Sequence, residues 1–77
     1  MQLNEGETGK KYEVQEMHLA LETERRLEGL GMTCRTVIAM MNKKRHGAVI
    51  VKVRGTRFAL GKNIAENIQV KEAPVHE

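Results

Sequence analysis

The groups in this chain that could do chemistry are few and scattered. Cys34, His18 and His46 are the soft or imidazole side chains in the body of the sequence, and no two lie at a ligand spacing. A structural metal site closes with four ligands at recognisable intervals, so these three define no metal site. Glu13, Glu16 and Glu22 read as solvated surface carboxylates. The sequence contains no aspartate, no serine and no phosphate loop of P-loop form. Cys34 stands beside Arg35 with no base near it in sequence. These residues predict no enzyme and no cofactor. The densest chemistry is cationic: Lys52, Arg54 and Arg57 in one run, Lys43, Lys44 and Arg45 just before it, and Arg25 and Arg26 further upstream. A formal net charge of +3 makes the surface mildly basic, which favours an acidic partner.

The element that must position the first of these sets is a hairpin over residues 48–60. Gly55-Thr56 separates two β-rich runs, and glycine at the first central position suits a type II′ turn. This loop sets Arg54 opposite Arg57, Val53 opposite Phe58, Lys52 opposite Ala59 and Val51 opposite Leu60. Side chains alternate along a strand, so Val51, Val53, Phe58 and Leu60 share one face. Lys52, Arg54 and Arg57 share the other. Directly opposed like charges cost roughly 0.2–1 kcal/mol, a repulsion that an acidic partner would relieve.

Around the hairpin the pattern predicts a strand over residues 11–17, with Tyr12 and Val14 on its apolar face, and a helix over 21–30. Glu22 and Glu24 in the first turn and Arg25 and Arg26 behind them suit the helix dipole. Leu27 and Leu30 read as packing residues of this helix. Gly31 suits a left-handed residue just past its end, with Met32 closing that end by an apolar contact. A second strand runs over 35–41, with Val37, Ala39 and Met41 on one face and Ile38 and Met40 on the other. Apolar residues on both faces imply that it is covered on both sides. Residues 42–47 form a cationic loop. A helical turn over 61–67 packs Ile64, Ala65 and Ile68 inward, and a last strand spans 68–70. The domain runs over residues 1–72, and 73–77 form a flexible tail that begins to fray from Lys71.

Short alternating strands with tight connections favour a small antiparallel β-barrel with one inserted helix. Only two aromatics and no tryptophan leave a thin aliphatic core. A single cysteine permits no internal disulfide, which fits a cytoplasmic setting. No apolar run reaches the length of a membrane span, and the polar first residues are not a signal peptide. Any membrane association goes through a partner.

Two segments carry a family likeness. Residues 26–33, Arg-Leu-Glu-Gly-Leu-Gly-Met-Thr, resemble the helix-plus-turn "RLxxLGhTPG" signature of the FeoA family, small proteins of bacterial ferrous iron transport. Residues 53–60, Val-Arg-Gly-Thr-Arg-Phe-Ala-Leu, with Ala65, Ile68 and Val70 beyond, resemble that family's "VRGxxhAL…A..I.V" ending. The spacing between the segments also matches, and the likeness extends from about Leu3 to Val70. It implies an SH3-like barrel with the helix between the first two strands. It also implies a cytoplasmic accessory role beside FeoB, a membrane permease with a GTP-hydrolysing domain. FeoA-like domains also occur fused to iron-dependent repressors, but no winged-helix segment is present here. Cys34-Arg35 replaces the family's Pro-Gly; losing a rigid turn residue and a permissive glycine leaves this backbone freer but requires an allowed φ at Arg35.

The cationic set is thus expected to bind a FeoB-like partner, with Arg25 and Arg26 as a second surface. The alternative is a nucleic-acid-binding barrel, which would need aromatic platforms for stacking. Only Tyr12 and Phe58 are available, so no nucleic acid is expected. Exposed sheet edges and the apolar Ile38 and Met40 leave a homo-oligomer open.

Overall fold

The computed structural model describes residues 1–73. Five strands, β1 (Lys11–Met17), β2 (Val37–Lys43), β3 (Val49–Val53), β4 (Thr56–Leu60) and β5 (Ile68–Glu72), make one antiparallel sheet in the order β4-β3-β2-β1-β5. Helix α1 (Leu21–Gly29) is inserted between β1 and β2, and the single turn α2 (Lys62–Ala65) lies between β4 and β5. A 3-10 turn, Leu3–Glu5, precedes β1. Register shifts near Gln15 and Met41 mark bulges in β1 and β2, which bend strands and increase their twist. The sheet curls without closing, so the expected barrel is open between β4 and β5. Gln2 bridges to Gln69, and the Val70 N–H donates to the Met1 carbonyl at 2.7 Å, covering part of the β5 edge.

The concave face of the sheet is the core. Tyr12 and Val14 of β1, Ile38 and Met40 of β2, Val49, Val51 and Val53 of β3, Leu60 of β4, and Ile68 and Val70 of β5 are all buried in one cluster with Leu3, Leu27, Met32 and Ala65. Each strand reaches it through alternate residues, as the period of two requires. Phe58 and Ile64 are half-buried against it. Ile38 and Met40 are wholly inside and offer nothing for self-association.

Helix α1 ends as its sequence predicts. Gly31 has φ +93°, the Met32 N–H donates to the Leu27 carbonyl and the Gly31 N–H to that of Glu28, both at 2.9 Å. This is a Schellman closure, and Met32 and Leu27 join the same core. Leu30 departs from expectation. It is the cap residue with its side chain outside, so Leu27 is the one buried residue of the helix.

β2 begins at Val37, two residues later than its alternation suggests. Residues 33–36 form a turn: Thr36 N–H donates to the Thr33 carbonyl at 3.1 Å, and Arg35 has φ +73°. A negative φ followed by a positive one makes it type II, the turn for which Pro-Gly is suited. Arg35 therefore carries the backbone strain that a glycine would avoid. β5 extends to Glu72, so Lys71 and Glu72 are ladder residues rather than tail. The Ala73 N–H continues the ladder to the Lys11 carbonyl at 3.0 Å; the rest of the expected tail, residues 74–77, lies outside the described residues.

Candidate docking face

The hairpin turn lies one residue earlier than the glycine alone suggests. Arg54 (φ +50°) and Gly55 (φ +84°) are both left-handed, which defines a type I′ turn. Val53 pairs with Thr56, Lys52 with Arg57, Val51 with Phe58, Ile50 with Ala59 and Val49 with Leu60. Moving the loop by one residue shifts every partner by two, so the two faces survive while the opposed pairs change. Arg54 does not face Arg57. It occupies the turn, and the repelling pair is Lys52 and Arg57.

The ladder continues this pair across the sheet. Lys52 lies opposite Ala39 of β2, and Ala39 lies opposite Lys11 of β1. One cross-strand row therefore reads Lys11–Ala39–Lys52–Arg57 on the outer face. At about 4.8 Å per strand, Lys11 and Lys52 stand about 10 Å apart with Ala39 between them. Below and beside the row is an open groove of ≈ 410 Å³, lined by Lys11, Val37, Ala39, Met41, Lys52 and Arg54 among others. The expected second cover of β2 is absent here: α1 does not lie over Val37, which remains 46% exposed.

Ion pairing divides this face. Toward β5, Lys71 lies 3.6 Å from Glu13 on this face, whereas the pairs of Lys10 with Glu7 at 2.8 Å and with Glu72 at 3.6 Å have the parity of Tyr12 and belong to the other side of the sheet's edge. Glu13, opposite Val37 at the groove's edge, also accepts a hydrogen bond from Gln15 Nε2 at 2.8 Å. Lys11, Lys52, Arg54 and Arg57 have no carboxylate within ion-pairing distance among the described residues. The aliphatic floor is thus bordered by Lys11, Lys52 and Arg54 without ion-pair partners among the described residues, and by one carboxylate, Glu13, that is paired with Lys71.

Arg54 also joins the hairpin to the helix. A Cβ built on Gly31 would lie 3.1 Å from Arg54 Cδ and 3.7 Å from Val53 Cγ1. The two segments whose spacing predicted one family module meet at this contact.

The remaining cations are elsewhere. Lys43 ends β2, and Lys44 and Arg45 lie in the turn closed by the Lys44 N–H to the Ala48 carbonyl at 2.8 Å. That turn and the Arg54 turn cap opposite ends of β3, about 20 Å apart at 3.3 Å per residue. Lys43, Lys44 and Arg45 therefore lie toward the opposite end of β3 from Arg54, and none of them lines the groove. Arg25 and Arg26 are exposed on α1 and do not line the groove. Lys11, Val37, Ala39 and Met41 line the groove and were not among the docking residues expected from the sequence. Their one signal was the apolar outer face of β2.

Cys34 is exposed and free, and His18 Nε2 lies 3.0 Å from Glu16. No group of three or more potential ligands occurs among the described residues. No helix among them is long and apolar enough to cross a membrane.

The FeoA domain model matches residues 1–72. No curated protein matches the chain. Among solved structures, the FeoA protein from Chlorobium tepidum is 26% identical with a TM-score of 0.88, covering 100% of this chain and 74% of that one. An iron uptake regulatory protein, also FeoA, is 27% identical with a TM-score of 0.83, covering 95% of this chain and 97% of the other. ScaR, solved with bound Zn2+, has a TM-score of 0.81 at 21% identity, covering 95% of this chain and 37% of its own, a likeness of fold alone. The fold is the SH3-like one of these FeoA structures, with its sheet left open. With the domain model spanning nearly the whole sequence and the structures agreeing over its full length, the chain belongs to the FeoA family, a membership that supports a role in ferrous iron transport.

Proposed function

We propose that this chain is a small accessory protein of ferrous iron transport that binds a FeoB-type GTPase permease on its cytoplasmic side, using the outer face of β2–β4. The observation that carries the reading is Arg54. A left-handed backbone costs a non-glycine residue about 1–2 kcal/mol, and a type I′ turn favours asparagine or glycine at this position. A strained arginine beside two more cations without carboxylate partners supports a role for the side chain rather than the turn.

Charge on this face steers association and is screened by salt. The test is binding of a FeoB-type permease's soluble cytosolic domain to the full chain and to Lys52→Glu/Arg57→Glu, at low and high salt. The reading predicts at least about a tenfold loss of affinity at low salt, narrowing as salt rises, where tenfold corresponds to about 1.4 kcal/mol. Equal affinity at both salt concentrations would sink it. A nucleic-acid role draws little support, because Tyr12 is buried and Phe58 is packed against the core, leaving neither as a stacking platform.

A further inference from the structure

We propose that the outer-face groove takes an acidic helical segment of a protein partner, with one apolar side chain seated on Val37, Ala39 and Met41 between carboxylates that meet Lys11 and Lys52. This rests on the partner-binding reading above and deepens it by naming what the partner must present.

The floor and the cations are arranged in a fixed order. Ala39 is flanked on its two neighbouring strands by Lys11 and Lys52, so an apolar contact there has a cation on either side. The two lysines stand about 10 Å apart at the usual strand spacing. Residues seven apart on a helix are separated by about 10.5 Å along its axis, and residues three before and four after a given position share its face. An apolar residue with acids at those two positions therefore matches the row. Arg54 and Arg57 extend the positive field on the hairpin side.

Screened surface charges alone hold little, whereas burial of an aliphatic side chain on an exposed apolar floor adds affinity that salt does not remove. Val37 is the open part of that floor. The lining contains no aromatic residue, so it favours an aliphatic anchor over a stacked base.

The test is amide NMR of the labelled full chain titrated with a short acidic peptide. It carries leucine with glutamates three residues before and four after, and a second peptide replaces that leucine by serine. The proposal predicts shifts centred on Val37, Ala39, Met41, Lys52 and Arg54. It predicts at least about fivefold weaker binding of the serine peptide, and about a tenfold loss in Val37→Glu, since tenfold is one 1.4 kcal/mol step. Lys44→Glu should cost clearly less than Lys52→Glu, because Lys44 does not line the groove and lies three residues beyond Met41, about 10 Å along the chain. If Val37→Glu loses its dispersed spectrum, Lys52→Glu carries the same test. Equal binding of the two peptides overturns the proposal, as do shifts centred on residues 43–45, tighter binding of an oligothymidine, or groove shifts that grow with protein concentration alone. The permease domain separates the two levels. If it binds Val37→Glu as tightly as wild type, the groove assignment fails and the accessory role stands. If it binds neither while the leucine peptide binds wild type, the accessory role fails and the groove stands.

Discussion

The two faces of β2 are built from similar residues and do opposite things. Ile38 and Met40 point into the core at 1% exposure each, while Val37, one residue away, is 46% exposed. The inner face is closed by every other strand, by Leu27 and by Met32. The outer face is bounded by Lys11, Lys52, Arg54 and Glu13, which leave Val37 exposed and Ala39 and Met41 partly so. Apolar content alone therefore does not decide burial; the cross-strand neighbours do. Where those neighbours are aliphatic the surface is core, and where they are charged, as Glu13 is beside Val37 and Lys11 and Lys52 are beside Ala39, it stays at least partly open.

Deleting side chains from either face should separate them most sharply. Ile38→Ala is expected to cost about 2–4 kcal/mol through lost burial and a residual cavity. In a domain this small that is most of the net stability, on the order of a few kcal/mol. Val37→Ala should change stability by less than about 0.5 kcal/mol, as surface substitutions do. Urea midpoints read both, and comparable losses would erase the distinction between the faces.

The contact between hairpin and helix gives the next effect. Gly31→Ala forces a side chain into a left-handed backbone and toward Arg54 Cδ, for a loss of about 1–2 kcal/mol. Adding Arg54→Ala should recover only the part due to the contact, and denaturant unfolding of the double-mutant cycle measures it.

Arg35 and Arg54 should respond in the opposite sense. Arg35→Gly and Arg54→Asn each place a residue suited to positive φ where an arginine now sits, and each should gain about 0.5–1 kcal/mol. Arg54→Asn should also weaken partner binding, whereas Arg35→Gly should leave it unchanged. A gain in stability without a loss of binding at Arg54 would remove the reason for its strain. Lys52→Thr should relieve the repulsion with Arg57 for roughly 0.2–1 kcal/mol, a gain that disappears in high salt.

The smallest expected effect lies in the exposed ion pair of Lys10 and Glu7 just before β1. Lys10 holds the Glu7 carboxyl below its ordinary 4.5, first by a hydrogen bond and then by its charge, and Glu7 in turn raises Lys10 above 10.5. A depressed glutamate stabilises above its unfolded value and loses that contribution as pH falls through the folded one. A raised lysine does so below its unfolded value and loses it as pH rises through the folded one. The small difference in Tm between wild type and Glu7→Gln should therefore be flat at neutral pH, shrink below pH 4.5, and shrink again above 10.5.

Much of the inner face was legible in the sequence. The bounds of β1, the Gly31 helix end and the alternation of Val51, Val53, Phe58 and Leu60 all follow from period and turn chemistry. The hairpin turn was misplaced because an arginine at positive φ leaves no trace in composition; only Gly55 announces the turn. The fold tolerated that error because partners moved by two. The proposed docking face was half legible. Lys52 and Arg57 were assigned outward correctly, but Lys11 joins them only through the β1–β2 register, which no local pattern encodes. Lys43, Lys44 and Arg45 were grouped with them by sequence proximity; they lie toward the end of β3 away from Arg54 and do not line the groove.

The most direct measurement is an amide shift map of the labelled full chain on adding a FeoB-type permease's soluble cytosolic domain at low salt. The account predicts changes confined to Lys11, Val37, Ala39, Met41, Lys52, Arg57 and the Gly31–Arg54 contact. Changes centred on residues 43–45 or on β5, with the β2–β4 outer face silent, would contradict it.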